Sequence, residues 1–380
     1  MDVRKKVLIF GCNAKTEFIV PRLMGVGTIS EIILASKDRA ECDRIRDKYS
    51  GKGPRITTAR VDLDNEQGTK MMLSITNPEV IVSMAAAERN LIIMKLALGI
   101  GADYIDGNLC NWKNGDLLSD QFKLFADFRS AGKMAVTGCA MNPAVLATLV
   151  KAAVRDDFDN VESALILEDN LEADPITSED AVMIKDGTGK TYPARSESIE
   201  HGGKTMYLVN SAVTQDFLKE IPGVPNVGCY VSFEEAEEEV DYISVLDKLG
   251  VLTDDLIEVA PGVSISSRQF WNKFAASKKT VKELSGACMT GVVISGTRRS
   301  TPLCEYIYTT GDNDTCMREY GMSFRMLLDS YALLSGIILI CSGKWLKSGV
   351  FTPAAFDPDL LITALRTHGL VIKKEEIPSV

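Results

Sequence analysis

Residues 7–23 read VLIFGCNAKTEFIVPRL, an apolar run that meets Gly11 and then turns into a helical pattern. A dinucleotide-binding turn has this form, because a glycine after a strand lets backbone N–H groups come up to a pyrophosphate. The full fingerprint asks for a second glycine for close approach and a third for helix–strand packing. Asn13 and Thr16 stand in those places, and Pro21 follows. Asparagine tolerates a left-handed backbone, so the turn over Gly11, Cys12, Asn13 and Ala14 is expected to form, with Asn13 at positive φ. The Asn13 side chain and Ala14 are expected to crowd the phosphate, while Thr16 and Pro21 displace the helix start. An intact turn with a weakened phosphate grip is the expectation.

A second cluster ends the next β-rich run, IILASKDRAECDRI, with Ser36, Lys37 and Arg39. An NAD site places an acid here for the ribose hydroxyls, whereas a 2′-phosphate asks for hydroxyl and cationic partners. Position and charge sign therefore favour NADP over a merely solvated basic strand end. Other chemistry is thinly represented. The two histidines, His201 and His368, sit in a polar turn and a helix end, and no Cys/His cluster has zinc spacing, so no metal is expected. Nine cysteines without a CxxC pair fit a reduced set, with Cys139 and Cys316 read as buried thiols. The acidic run at 234–239 reads as a solvated helix face. A net charge of −10 argues against nucleic acid or an anionic membrane as partner.

These residues need elements to position them. Strand-like runs at 7–10, 32–35, 57–61, 80–83, 104–105 and 134–137 alternate with amphipathic segments at 18–24, 39–49, 66–75, 90–98 and 121–130. Strands separated by helices of that length imply crossovers and a parallel sheet covered on both faces, a doubly wound Rossmann-type α/β domain over 1–137. From residue 138 the texture changes to β-rich runs with few long helices, an inserted α+β domain with a mostly antiparallel sheet over 138–320. Helical patterns return over 321–380 and are expected to rejoin the first domain. The most apolar stretch, MLLDSYALLSGIILIC, carries Asp329 and is shorter than a membrane span, so a buried helix is expected.

ILASKDRAECDRI, RVDLDN, MAAAERNLIIMKLALGIGADYIDGN, FLKEIPGV and GKWLKSGVFTPAAFDPDLLITALRTHGL together resemble the saccharopine dehydrogenase-like superfamily, nearest carboxynorspermidine (carboxyspermidine) dehydrogenases. The likeness runs in order along nearly the whole chain. It implies a cytoplasmic, homodimeric, NADP-dependent reductase acting on an imine formed between an amino-acid semialdehyde and an amine or diamine. It also implies site roles. Gly11 to Ala14 would hold the pyrophosphate, and Ser36, Lys37 and Arg39 the 2′-phosphate. Asp62 would lie near the adenine, with Met84, Ala85 and Ala86 along the cofactor. Asp106 and Asn108 would face the nicotinamide and the substrate. Asn142 would mark the loop into the inserted domain, and Glu168 and Asp169 an acidic strand end facing an amine or amino-acid substrate. Asp312 would keep the acid of a loop that reads Cys-Asp-His in the family.

Three departures bear on activity. The glycine loop keeps one glycine, Asn142-Pro143-Ala144 replaces an Asp-Pro-Gly loop, and Gly311 and Asn313 replace the cysteine and histidine around Asp312. All fall where cofactor and substrate would meet. They set a rival expectation: a catalytically degenerate paralogue with weak or no nucleotide binding, acting as a binding or partner subunit.

Overall fold

The computed structural model describes residues 4–107, 120–171, 198–209, 221–232, 248–253, 255–267 and 284–378, with shorter pieces between them. The chain divides into two compact units, one of residues 1–155 and 316–371, the other of 156–315 and 372–380.

In the first unit every strand read from the sequence is present. They are β1 (Lys5–Phe10), β2 (Ile29–Ser36), β3 (Arg55–Arg60), β4 (Val80–Ser83), β5 (Asp103–Asp106) and β6 (Met134–Val136). With the late strand Gly349–Phe351 outside β6, they form one parallel seven-stranded sheet in the order (349–351)-6-5-4-1-2-3. Runs such as Val7–Phe10 and Val80–Ser83 are apolar almost throughout because both faces of a parallel sheet are covered by helices. Those helices are α1 (Ala14–Leu23), α2 (Arg39–Tyr49), α3 (Glu66–Thr76), α4 (Asn90–Ile100) and α5 (Phe125–Ser130). The strand order reverses between β1 and β4. A doubly wound fold has its ligand crevice at that point, beyond the carboxyl ends of those strands.

The apolar stretch forms the helix Phe324–Cys341, capped by Ser323, with Leu333, Leu334, Ile337 and Ile340 almost without exposure. By length and apolarity alone it could cross a membrane, but most of it is buried inside the protein, as a core helix is. Gly336 is required there: a β-carbon would come within 2.6 Å of the Ile105 side chain and 2.9 Å of Cys139 Sγ. The helix Pro358–Thr367 follows in the same unit, with Asp357 as N-cap and Gly369 beyond its end.

The second unit holds a seven-stranded mixed sheet in which β7 (Asn160–Asp169) is central. Strands Ser198–His201, Lys204–Val209 and Asn226–Ser232 lie on one side of β7, and Ala287–Arg298, Thr301–Asp312 and Lys373–Glu376 on the other. All pairings are antiparallel except that of β7 with Asn226–Ser232, which is parallel. The expected boundaries at 137/138 and 320/321 shift for physical reasons. The helix α6 (Leu146–Asp156) buries its apolar side in the first unit, while the last strand pairs with Thr301–Asp312 and so returns to the second.

Candidate functional site

The first turn is tighter than its sequence suggests. Gly11 has φ +98°, and a β-carbon on it would lie 2.8 Å from the Met84 carbonyl, so no other residue fits. The Gly11 N–H donates to Ala35 O and the Met84 N–H to Phe10 O, which binds the ends of β2 and β4 to the turn. Asn13 is not left-handed. Its φ of −153° is extended, and it is the N-cap of α1. The Asn13 Oδ1 accepts from the Thr16 N–H at 3.2 Å, and the Thr16 hydroxyl accepts from the Asn13 N–H at 3.3 Å, a reciprocal cap. The buried Thr16 hydroxyl also donates to Gly11 O at 2.9 Å. The expected displacement of the helix does not occur, because Thr16 replaces glycine packing with hydrogen bonds, and α1 starts at Ala14. Pro21 falls in its last turn, where it leaves the N-terminal donors untouched. One of those donors, the Thr16 N–H, is occupied by Asn13 instead of being open to an anion.

The ends of β2 and β3 form the next part. Gly11, Ser36, Lys37, Asp62, Ala85 and Arg89 are among the residues lining a cavity of about 250 Å³ at the crevice. Beside it, an open depression of about 590 Å³ is walled by Lys37, Asp38, Arg39 and Arg60. Lys37 Nζ lies 3.0 Å from Asp62, holding that carboxyl below its ordinary range, and Arg39 lies 3.5 Å from Asp43. Arg60 is exposed and has no carboxylate within ion-pairing distance among the described residues. The sequence reading missed it because β3 lies well away in the chain. Its signals were a basic residue ending a strand that neighbours β2 and its place at the head of the RVDLDN run. A glycine cradle, a hydroxyl and three cations at the β2 and β3 ends fit the adenosine end of a 2′-phosphorylated dinucleotide. Met84 lies against the turn, its sulfur 3.3 Å from the Thr16 hydroxyl, and Ala86 leads into a short turn at Ala87–Arg89.

The expected catalytic acids are placed otherwise. Asp106 is wholly buried, and its carboxylate accepts from four donors: Tyr104 OH, Gln121 Nε2, Thr137 Oγ1 and the Gly138 N–H. With its lone pairs so engaged it anchors the loop after β6. Asn108 lies outside the described residues. Asn142, in that loop, precedes Pro143 through a cis peptide bond, and the neighbouring Met141 N–H donates to Asp329. Asp329 also pairs with Lys15 of α1 at 3.4 Å.

In the second unit Glu168 and Asp169 close β7 and are largely buried, Asp169 pairing with Lys204 at 2.6 Å. Asp312 Oδ1 accepts from the Thr315 N–H at 2.8 Å, so it caps the helix Asn313–Tyr320. Asn313, where the family loop has histidine, is fully buried and donates through Nδ2 to Asn170 O. The loop that reads as catalytic by resemblance is thus built as a helix cap. His201 packs edge-on against Tyr306, and burial pulls its pKa down, as it does for His368. Among the described residues no group of three or more His, Cys, Asp or Glu side chains is arranged to hold a metal ion.

Comparison with known proteins bears on the family and the fold. Residues 7–136 match the family described as saccharopine dehydrogenase NADP binding domain. Carboxyaminopropylagmatine dehydrogenase from Synechocystis sp. is 24% identical over 389 residues, which covers 96% of each chain. Among solved structures, apo saccharopine dehydrogenase (L-Glu forming) from Saccharomyces cerevisiae superposes with a TM-score of 0.68 at 12% identity. That superposition covers 98% of this chain and 100% of the yeast chain.

Proposed function

We propose that the chain, whose residues 7–136 match the saccharopine dehydrogenase NADP binding domain family, is an NADPH-dependent reductase of carbon–nitrogen double bonds. Its substrate is an imine formed between an amino-acid semialdehyde and an amine or diamine, and its product a carboxylated secondary amine of the polyamine type. The Synechocystis relative, similar over nearly its full length, supports that substrate class by its name. The observation that carries the nucleotide choice is the open depression where Lys37, Arg39 and Arg60 converge. NADPH would supply the hydride. The chain's own residues would seat the adenosine end against Gly11 and Ala85 and neutralise the 2′-phosphate. Glu168 and Asp169 would offer negative charge to an amine. We place the working protein in the cytoplasm as a homodimer, following the resemblance.

A second reading has its own support. The Asn13 cap occupies a donor that a pyrophosphate would use, and Asp106 and Asp312 are engaged in structural bonds. A chain of this kind would keep the fold, bind nucleotide weakly and serve as a partner subunit. Titration of NADPH and NADH into the wild type separates the two readings. A low-micromolar NADPH affinity, about −8 kcal/mol, supports the reductase, and no measurable binding supports the partner subunit. Within the first outcome, Arg60→Ala should cost NADPH about tenfold or more while leaving NADH unchanged, since a charge-assisted bond is worth roughly 1.5–3 kcal/mol. Lys37→Ala should cost less, because Lys37 already spends its charge on Asp62. Equal NADPH and NADH affinities in the wild type would remove the 2′-phosphate site.

A further inference from the structure

We propose that the apolar surface between Tyr242 and Phe274, in the second unit, docks a second copy of this chain. The inference rests on the homodimer of the preceding reading and gives it a place. Seventeen large apolar side chains stand exposed among the described residues, and nine of them fall between Tyr242 and Phe274. Scattered singly such residues mean little, whereas a cluster of this density marks an interaction surface. Tyr242, Val245 and Leu249 are spaced three and four positions apart, so they share one face of a helical turn. That turn closes with the Leu249 N–H donating to Val245 O and with Gly250 at φ +70°. The three side chains are 54–70% exposed, on a stripe that an amphipathic helix ordinarily buries. Phe270 and Phe274 lie four positions apart and stack with ring centroids 6.2 Å apart, yet they remain 58% and 43% exposed.

In the chain between these pieces lies a hairpin, Leu256–Ala260 paired antiparallel with Val263–Ser266. Pro261 and Gly262 make its turn, with Gly262 at φ +73° and its N–H donating to the Glu258 carboxylate at 3.0 Å. All five residues of Leu256–Ala260 are exposed, and among the described residues no third strand joins the pair. Two strands alone are marginal in water, and a bare apolar edge strand is a template for pairing. This surface needs a cover, and its chemistry says which. Interfaces that form and dissolve are about as apolar as ordinary surface, whereas permanent ones are more so, and most soluble oligomers join identical chains. Taking roughly 150–250 Å² for a large side chain fully bared, the nine residues offer on the order of 1,000 Å². One partner in a standard interface contributes about 800 Å². Exposed charges of both signs, Lys248 as well as Asp255 and Glu258, occur in the same stretch. A copy turned about a twofold axis can therefore set opposite charges against each other.

Light scattering after size exclusion tests this on the full chain. The wild type should elute at twice the mass of one chain. Ile257→Glu and Val263→Glu should each weaken the dimer about a hundredfold or more, because either would bury an unpaired charge. Leu346→Glu, at an apolar residue 83% exposed in the first unit, should leave the dimer intact. Hydrogen exchange of the wild type supplies a reading that no folding defect in a variant can blur: amides of Leu256–Ala260 should exchange more slowly as protein concentration rises. A wild type that is monomeric throughout overturns the proposal together with the homodimer. Its sedimentation with phosphatidylcholine–phosphatidylserine vesicles would then give the surface to lipid instead. A dimer that survives both hairpin substitutions, with exchange at Leu256–Ala260 independent of concentration, overturns the surface and leaves the homodimer in place. NADPH titration into the same samples reports on the reductase reading separately, since none of the substituted residues lines the nucleotide crevice.

Discussion

At the scale of single residues, a side chain's hydrogen bonds decide its role more firmly than its position in a motif. Asp106 sits at the carboxyl end of β5, where a catalytic acid is expected, yet Tyr104, Gln121, Thr137 and Gly138 all donate to its carboxylate. Asp106→Asn would turn an acceptor into a donor against at least one of those groups with no water to relieve it. It should destabilise the protein by roughly 2–4 kcal/mol, read as a lower urea midpoint. A stability equal to wild type with lost activity would instead return Asp106 to the chemistry. Arg60 is the opposite case. It heads the RVDLDN run without a role assigned to it there, yet among the described residues it makes no ion pair, at the place where Lys37 and Arg39 already have carboxylate partners.

At the scale of elements, α1 and α2 flank the nucleotide turn and are tied by charge. Arg44 and Lys48 of α2 both reach Glu17 of α1, at 2.6 and 2.5 Å, and hold its carboxyl down at about 2. A depressed folded pKa means that this stabilisation is fully present above the unfolded value near 4.5 and is lost as pH falls toward 2. Exposed pairs are each worth only about 0.2–1 kcal/mol, so the effect is modest. Glu17→Gln should lower the melting temperature slightly at pH 7 and leave it close to wild type at pH 2. A difference that stays constant between those pH values would show that the packing of Glu17, not its charge, links the helices.

At the scale of the whole molecule, the chain visits each unit more than once, and its last residues complete the second. The strand Lys373–Glu376 pairs with Thr301–Asp312 and places Lys374 Nζ 2.9 Å from Glu305, a residue only 2% exposed, and 2.6 Å from Asp157. Burial pushes the Glu305 pKa up even with that ammonium beside it. Lys374→Ala should therefore cost about 1–3 kcal/mol at pH 7. The loss should shrink as pH falls through the raised folded pKa, because a protonated Glu305 no longer needs a counter-charge. Thermal melts of both proteins from pH 7 to pH 5 check this, and a loss that grows on acidification would contradict it.

How much of this was legible beforehand follows from the range of the forces involved. Short-range regularities, the period of apolar residues and the glycine at 11, fixed six of the seven strands of the first unit's sheet, the helices between them and the doubly wound class. Those patterns are set by neighbours within a few positions. The basic residues after β2 were legible for the same reason. The convergence of Arg60 with Lys37 and Arg39 and the buried anchoring of Asp106 were not, because each depends on strands and helices brought together from distant parts of the chain. Asn13 and Thr16 show the boundary between the two. Read singly they were lost glycines, and only their mutual geometry, one capping the other across a turn of α1, made them a device that holds the loop. Sequence names the residues available to a site, but the direction of each lone pair and proton is settled by packing.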